Sequence, residues 1–381
     1  MGRIDDSITE DALELALASI FIYKPNVALA VREEFTSLGE FFGLSGRELL
    51  SIKGITQSQV DKIKSAEYVR RFQDEVEWCK RFGIEIVRYE DFPQRIKDIP
   101  DPPFLLFCKG NRELLYAEHG ISVVGTRLAT NYGRAACDSI AQAMSGVGLD
   151  IVIYSGLAYG IDAAAHKSAI SCGLKTVAVL PNGLDMIYPA GHRELAGEII
   201  RRGGLIVTEF LRETKPVRVN FIKRNRIIAA ISSATVVVES RVKGGAMLTA
   251  EFALGYGREL FAVPGRMDDA NSYGCNYLIS KNVAIILNTP QKIVSELGWD
   301  ANKMGQVSEV EWQNSLFSED SELKLKILSL LNRRSATLID YICNVAGAPI
   351  DVVTAALVEL QMEGLIDYRD DGYLLAEKHN L

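Results

Sequence analysis

The chain has 381 residues, of which 48% are hydrophobic and 24% are charged. This balance is typical of a globular protein, and it excludes a chain that is disordered, collagen-like or coiled-coil throughout. The 49 acidic residues outnumber the 42 basic ones, which gives a formal net charge of −7. Because nucleic-acid binding is largely electrostatic, this total charge argues at first against a nucleic-acid partner.

The acidic residues are concentrated at the two ends of the chain. Residues 1–75 contain 9 basic and 13 acidic residues, and residues 320–381 contain 6 and 10. Residues 76–300 instead contain 26 basic and 23 acidic residues, a net charge of +3. We therefore expect any binding of a polyanion to occur in a local groove of the central region, with the two ends binding DNA poorly.

Residues 1–75 are predicted to form a small helical domain. Its segment Leu49–Thr56 places two apolar runs around Gly54, and a helical pattern, Gln57–Ala66, follows. This spacing resembles a SAM or helix-hairpin-helix domain, whose backbone N–H groups can bind a phosphate. A plain helical turn ended by Gly54 explains it equally simply, and the net charge of the segment favours that interpretation.

The central region, residues 76–300, is predicted to be a doubly wound α/β domain of the Rossmann type. Short runs rich in Val and Ile alternate with helical segments of about 10–17 residues, as in a mainly parallel sheet that is buried on both faces. Two earlier strands extend this sheet. The nine predicted strands are Glu85–Tyr89, Phe104–Cys108, Ile121–Val124, Asp150–Tyr154, Thr176–Leu180, Leu205–Thr208, Ala234–Val238, Glu259–Val263 and Ala284–Leu287.

The C-terminal part is predicted to contain a linker and a second small domain. Residues 301–320 lose the apolar periodicity, which indicates a linker. Residues 321–381 then contain three helical patterns and a hairpin around Asp370-Asp371, the layout of a winged helix. Its third helical pattern, Val352–Gly364, contains two Glu and no Lys or Arg. We therefore expect this domain to contact protein rather than DNA.

The candidate binding site lies where the predicted strands end, because open α/β sheets bind ligands at the carboxyl ends of their strands. Glycines there let a ligand approach the backbone, and helix N-termini offer free N–H groups to an anion. Arg127, Arg241 and Arg266 follow three different strands, and we expect them to converge on one phosphate-binding rim. A single arginine at such a position would be weak evidence.

A basic run, Arg212–Arg226, provides a second signal. Its core, Lys223–Arg226, is predicted to open a helix, where positive side chains oppose the helix macrodipole unless an anion compensates them. A solvated charged helix start is the alternative. The phosphate- or DNA-binding candidates are Gly125, Thr126, Arg127, Ser155, Gly156, Gly160, Lys223, Arg224, Asn225, Arg226, Arg241, Lys243, Gly244, Gly245 and Arg266.

Other features define what else we expect. Tyr188 could stack on a base or could fill its own loop beside Pro189. No nucleophile or dinucleotide-binding motif is recognisable, so no catalytic residue and no cofactor is predicted. The six cysteines form no CxxC pair, so no metal site is predicted either. The chain shows neither a signal peptide nor an apolar run of about 18 residues, and we expect a cytoplasmic protein without a membrane partner.

The strand-end motifs, in their order, resemble those of the DNA-processing protein A family (DprA, also called Smf). The resemblance covers roughly residues 80–300, and its motifs are specific when taken together. The matching segments are Gly125–Arg127, Ser155–Asp162, Leu180–Pro189, Lys223–Ala229, Gly244–Glu251 and Phe261–Gly265.

The resemblance implies a Rossmann-like protein without a known catalytic step that binds single-stranded DNA. It implies a homodimeric recombination mediator that protects incoming strands and loads the RecA recombinase onto them during natural transformation. By motif, Arg127 and the segment Lys223–Arg226 would lie on the DNA-binding surface. Two motifs depart from the family. Phe221-Ile222 replaces the usual Phe-Pro, and Gly244–Met247 replaces Ser-Gly-Ser-Leu, which removes two hydroxyl groups.

Two alternatives to a DNA-binding mediator remain open. The segment Gly244–Glu251 faintly resembles the glycine-rich motif of nucleotide-hydrolysing enzymes of the lysine-decarboxylase-like phosphoribohydrolase group, although Met247-Leu248 interrupt that motif. Release of a base from a nucleoside monophosphate would distinguish this enzyme from a mediator. The second alternative is a scaffold that presents only protein-binding surfaces and binds no DNA at any salt concentration.

Overall fold

The computed structural model describes residues 8–299, 320–331, 337–362, 365–369 and 372–375. The chain separates into two compact units, Met1–Trp299 and Asp300–Leu381. The predicted linker, residues 301–320, lies outside the described residues except for its last residue.

Helices occupy most of residues 8–81, as predicted. The first begins after Thr9, whose side chain accepts a hydrogen bond from the Ala12 N–H, and two acidic residues in its first turn complement the helix dipole. Gly54, with φ of 95°, lies in the turn between the fourth and fifth helices. The helices are α1 Glu10–Ile20, α2 Pro25–Glu34, α3 Leu38–Gly43, α4 Gly46–Ser51, α5 Gln57–Lys64 and α6 Ala66–Arg81.

The N-terminal helices share a hydrophobic core with the edge of the sheet. Leu17 and Phe41 belong to the same buried cluster as Leu105 and Phe107. The predicted domain boundary after residue 75 lies inside α6, whose amphipathic pattern continues to Arg81. Burial of one continuous apolar cluster therefore joins these helices to the sheet.

A nine-stranded sheet forms the centre of the first unit, and it confirms the predicted mainly parallel, Rossmann-like architecture. Only the pairs β1–β2 and β2–β6 are antiparallel. The spatial order is β1-β2-β6-β5-β4-β3-β7-β8-β9. The strands are β1 Glu85–Arg88, β2 Leu105–Gly110, β3 His119–Val124, β4 Ile151–Ser155, β5 Lys175–Val179, β6 Leu205–Thr208, β7 Ala234–Val237, β8 Glu259–Ala262 and β9 Ile285–Ile286.

Helices cover both faces of this sheet, which explains the near-continuous apolar runs of its strands. One face packs against α8, α9 and α14, and the other packs against α11, α12 and α13. The helices of this region are α7 Gln94–Lys97, α8 Asn131–Ser145, α9 Ile161–Ser171, α10 Arg193–Arg201, α11 Arg218–Ile231, α12 Gly245–Gly255, α13 Tyr273–Ser280 and α14 Gln291–Glu296, with 3₁₀ turns at Tyr89–Asp91, Arg112–Leu115 and Ala190–His192.

The chain reverses its direction of travel across the sheet between β3 and β7. From β3 it proceeds through β4 and β5 to β6, and it then returns to β7 on the other side of β3 and continues to β8 and β9. Such a reversal separates the two loops that follow the neighbouring strands and leaves a crevice at their carboxyl ends. The topology therefore places a ligand-sized opening between β3 and β7.

The second unit contains three helices and a hairpin at the predicted positions. Its elements are α15 Asp320–Leu330, α16 Ile339–Ala346, α17 Ile350–Met362, β10 Ile366–Arg369 and β11 Gly372–Leu375. Ile327, Ile342 and Leu357 are buried together in its core. The turn residues Asp370-Asp371 lie outside the described residues, and the winged-helix assignment stays a prediction.

Within the described ranges, no single helix has the length and apolar character that a membrane span requires. Two segments, Ile339–Ala346 and Ile350–Gln361, meet that test only when taken together, and they are bent by 111° at the break between them.

The shared core predicts that the N-terminal helices and the sheet unfold together. Leu17→Ala removes a fully buried side chain from α1 and should cost about 2–5 kcal/mol of unfolding free energy. The measurement is tryptophan fluorescence during urea unfolding. Trp78 reports on α6, and Trp299, whose ring lies 5.2 Å from that of His119, reports on the sheet.

Two single-tryptophan proteins separate the two reports. One carries Trp299→Phe and Trp312→Phe, and the other carries Trp78→Phe and Trp312→Phe. Each is compared with its own Leu17→Ala derivative, and we expect equal shifts of both midpoints. A shift of the Trp78 transition alone would mean that the N-terminal helices, including α6, unfold independently of the sheet.

Candidate functional site: a cationic cavity at the reversal point

A cavity of about 1020 Å³ occupies the crevice between the carboxyl ends of β3 and β7. The loop after β3 and the loop after β7 form two of its walls, and the first turns of α11 and α12 form others. Ala158 and Asp162, at the start of α9, also line it. The sequence-based candidates among its lining residues are Gly125, Thr126, Arg127, Arg224, Asn225, Arg241, Lys243, Gly244 and Gly245.

Backbone hydrogen bonds fix the loop that carries Arg127. The Thr126 N–H donates to the carbonyl of Glu239 at 2.7 Å, and the Ile161 N–H donates to the Thr126 carbonyl at 3.1 Å. Gly125 has no room for a side chain, because a Cβ there would lie 2.5 Å from Cγ1 of Ile161. Gly160 has φ of 79° and packs directly on the backbone of Thr126 and Arg127. The loops after β3, β4 and β7 therefore hold one another in place.

The fully buried side chain of Glu239 supports the same loop from below. Its carboxylate accepts hydrogen bonds from the backbone N–H of Thr130, at 3.0 Å, and from the Thr130 hydroxyl, at 2.5 Å. Thr130 is also the N-cap of α8. The Glu239 carboxylate thus links the end of β7 to the start of α8. The loop that bears Arg127 connects β3 to α8 and is held between these two points.

Four exposed cations surround the cavity: Arg127, Arg218, Arg241 and Lys243. Within residues 8–299, none of them forms an ion pair within 4.0 Å. Arg127 lies over the Phe221 ring, 4.9 Å from its centroid. Unpaired cations around a concave surface concentrate positive potential, and this favours the binding of an anion.

Two carboxylates, of Asp162 and Glu251, also line the cavity. Glu251 is exposed. Asp162 is buried and accepts a hydrogen bond from the Ala158 N–H; burial raises its pKa, while Arg224 and Arg127 act in the opposite direction. Of the charged groups at the cavity surface, the cations are therefore in the majority.

Two of the predicted DNA-binding cations, Arg224 and Arg226, are buried, and the side chain of Lys223 is only 9% exposed, which corrects their assignment to the surface. Helix α11 begins at Arg218, five residues before the predicted start, so that Lys223–Arg226 lies within the helix and not at its N-terminus. Arg226 ion-pairs with the buried Glu209, and Lys223 Nζ lies 3.2 Å from the same carboxylate. Burial lowers the pKa of Lys223. The proposed compensating anion is thus a side chain of the protein itself.

Arg224 lines the inner wall of the cavity, but its guanidinium faces the protein interior. Its Nη1 donates to the carbonyls of Gly156, at 2.6 Å, and Val179. Burial lowers its pKa to about 10, although the nearby Asp162 counteracts this effect. Arg224 therefore joins α11 to the ends of β4 and β5. Asn225, its neighbour, is the member of this segment that is left to meet a ligand.

The structure separates three further candidates from the cavity. The Ser155 hydroxyl is buried and donates to the Val123 carbonyl at 2.6 Å. Gly156 packs against the Arg224 guanidinium, where a Cβ would overlap it. Arg266 ion-pairs with Asp268 at 3.0 Å and does not line the cavity, so that only two of the three strand-end arginines converge.

Several lining residues are not among the sequence-based candidates, and two of them have side chains suited to binding a nucleic acid. Arg218 and Phe221 stand in the first turn of α11 and line the cavity. Val217 is the N-cap of this helix and Pro216 precedes it, so the first helical position carries no proline that would signal the helix start. Tyr188 remains a candidate for stacking, because its side chain is 39% exposed while the ring packs edge-on against Phe221, 5.7 Å away.

Titratable groups near the cavity do not form a metal centre in the described part of the chain, where no three His, Cys, Asp or Glu side chains are grouped suitably. Asp162 and His166, four residues apart on α9, have different partners. The His166 Nδ1 hydrogen-bonds the Thr176 hydroxyl at 2.7 Å, and burial lowers the pKa of His166 to about 3.

The chain is similar to known proteins over most of its length. A family model described as DNA recombination-mediator protein A matches residues 84–298. Protein Smf of Escherichia coli (strain K12) is 34% identical over 292 residues, which cover 75% of this chain and 75% of that protein.

Two solved structures share the fold of the chain. DNA processing protein A from Streptococcus pneumoniae superposes with a TM-score of 0.61 and 30% identity, covering 75% of this chain and 97% of the other. DNA processing protein A from Helicobacter pylori, described for its mode of binding single-stranded DNA, gives a TM-score of 0.52 and 30% identity and covers 57% and 97%. The chain therefore belongs to the DNA recombination-mediator protein A family.

Proposed function

We propose that this chain binds single-stranded DNA in the cationic cavity at the β3–β7 reversal point. The observation that carries the proposal is the group of four exposed cations around that cavity, Arg127, Arg218, Arg241 and Lys243, none of which is ion-paired within residues 8–299. The H. pylori relative, described as a single-stranded DNA-binding protein, supports the choice of ligand.

The surface chemistry favours phosphate contact over the reading of base sequence. Guanidinium groups and the Lys243 ammonium bind phosphate oxygens, and such contacts position a strand without identifying its bases. The N-terminus of α12 adds the backbone N–H of Gly245, where the family's hydroxyl-bearing side chains are missing. The Gly244 N–H donates to the Arg241 carbonyl at 2.8 Å. We therefore expect tight binding with little base selectivity.

The biological role that we propose is that of a recombination mediator. Bound to incoming single strands as a homodimer in the cytoplasm, the protein protects them and loads the RecA recombinase during natural transformation. No catalytic step is part of this role. Membership of the family supports the proposal.

Arg127→Ala should weaken the binding of single-stranded DNA and reduce its salt dependence. Loss of one phosphate contact lowers the slope of log K against log salt by about 0.7, from a total of about 3 if all four cations bind phosphate. Fluorescence anisotropy of a labelled oligonucleotide at several salt concentrations measures both quantities.

Arg266→Ala is the matched control for this experiment, because Arg266 is also exposed at this edge but is paired with Asp268 and lies outside the cavity. It should leave the affinity and the slope near those of the unaltered protein. Equal effects of the two substitutions, or binding that does not change with salt, would contradict the proposed site.

Loading of the recombinase is tested by following RecA nucleation on strands coated with single-strand-binding protein. Addition of the full chain should accelerate nucleation, and Arg127→Ala should remove most of the acceleration because it weakens strand binding. Sedimentation of the same preparation should give a dimer. Acceleration that persists at full strength in Arg127→Ala would contradict loading through this cavity.

An enzyme that hydrolyses nucleotides is the second candidate, because the Glu251 carboxylate lines the cavity together with Gly244 and Gly245. We expect no release of base from nucleoside monophosphates, measured by chromatography of the products over long incubations. Release that disappears in Glu251→Ala and persists in the control Glu259→Ala, at the exposed start of β8, would establish the enzyme instead.

A further inference from the structure

A half-exposed aromatic ring stands next to the cationic cavity and has no role in the site described so far. The side chain of Tyr159, in the loop after β4, is 51% exposed. Tyr159 lies near the loop that carries Arg127, because the next residue, Gly160, packs on the backbone of Thr126 and Arg127. Ala158, the residue before Tyr159, lines the cavity itself.

The loop that carries Tyr159 is rigid. Leu157, two residues earlier, has φ of 56° while its side chain is completely buried, and Gly160 has φ of 79°. Backbone of this kind persists only where the surroundings determine it, and it occurs often at binding sites. A ring fixed in advance loses little conformational entropy when it binds a flat partner.

A second ring supports Tyr159 from one side. His192 packs edge-on against it, with ring centroids 4.8 Å apart. The His192 Nδ1–H donates to the carbonyl of Leu157 at 2.8 Å, so that the imidazole is fixed to the same loop. This contact orients the phenol ring and leaves half of its surface open to solvent.

The order of the strands places the aromatic and the cationic groups at the same end of the sheet, the carboxyl ends of its parallel strands, but after different strands. Arg241 and Lys243 follow β7, Arg127 follows β3, Tyr159 follows β4 and Tyr188 follows β5. These four strands are adjacent, in the order β5-β4-β3-β7. The loops at the carboxyl ends of the strands therefore carry cations around the reversal point between β3 and β7, and they carry aromatic rings after β4 and β5.

We infer that Tyr159 is a stacking platform for an unpaired nucleobase. This inference rests on the proposed function, and it adds a base-binding subsite to the phosphate-binding cavity. Phosphates contact the cations between β3 and β7, and the bases of the continuing strand stack on the rings beyond β4. Base–aromatic stacking tolerates any sequence, since every base has a π face, and it excludes duplex DNA, whose bases are already stacked.

The test compares ring variants on two kinds of strand. Tyr159→Ala should weaken the binding of oligo(dT) by about 5- to 140-fold, the usual range for loss of one stacked base. Tyr159→Phe keeps the ring and should bind within about twofold of the unaltered protein. On an abasic oligomer of the same length, Tyr159→Ala should bind as the unaltered protein does, because only the base contact is lost.

Tyr116→Ala is the matched control. Tyr116 is 39% exposed, like Tyr188. It follows β2, which runs antiparallel to β6, and so it lies at the end of the sheet opposite to the carboxyl ends of the parallel strands. It should leave oligo(dT) binding unchanged. Thermal melting of each variant verifies that the fold is retained, and Tyr159→Leu, which keeps an apolar contact for His192 without a π face, should behave like Tyr159→Ala.

The outcomes separate failure of the inference from failure of the proposed function. Absence of DNA binding by the unaltered protein would overturn both. If Arg127→Ala weakens binding while Tyr159→Ala and Tyr159→Leu do not, the phosphate site stands and the stacking platform is overturned. Equal losses in Tyr159→Ala and Tyr159→Phe, or equal losses on oligo(dT) and on the abasic strand, would also overturn it.

Discussion

One buried guanidinium connects the parts from which the cavity is built. Arg224 extends from the middle of α11 beneath the edge of the sheet and donates to the carbonyls of Gly156 and Val179, at the ends of two neighbouring strands. Taking a charge out of water is costly unless hydrogen bonds and a counter-charge replace the solvent, and here the carbonyls and the nearby Asp162 do so. The position of α11, and with it the cavity wall formed by Arg218 and Phe221, depends on this contact.

The anchored helix and the reversal of the chain together explain why the site has its present form. The reversal separates the loops after β3 and β7, and Glu239 and Gly125 bring their backbones together again at the base of the crevice. The supported loops leave the side chains of Arg127, Arg241 and Lys243 exposed at the cavity. A strand with many phosphates and a variable sequence requires this combination of a fixed scaffold and adaptable cations.

The sheet and its strand-end loops were predictable from sequence, whereas the fate of the basic helix was not. Continuous Val and Ile runs mark buried parallel strands, and the structure confirms them within a few residues. Lys223–Arg226 has the same composition as a solvated charge run. Its burial depends on Glu209, Gly156 and Val179, which are distant in sequence and meet it only after folding. The boundary after residue 75 also differs from the structure, because no break in composition or periodicity marks the point where α6 packs against the sheet.

The shared core has a consequence for where this protein can be divided. The family model begins at residue 84, directly after α6, and a fragment cut there would retain every residue that lines the cavity. It would also uncover Phe104, Leu105 and Phe107, which the N-terminal helices now cover. Such an exposed apolar patch on a sheet edge promotes aggregation. The segment that the family model matches is therefore shorter than the segment that must fold, because the helices before it cover the apolar side chains of the sheet edge.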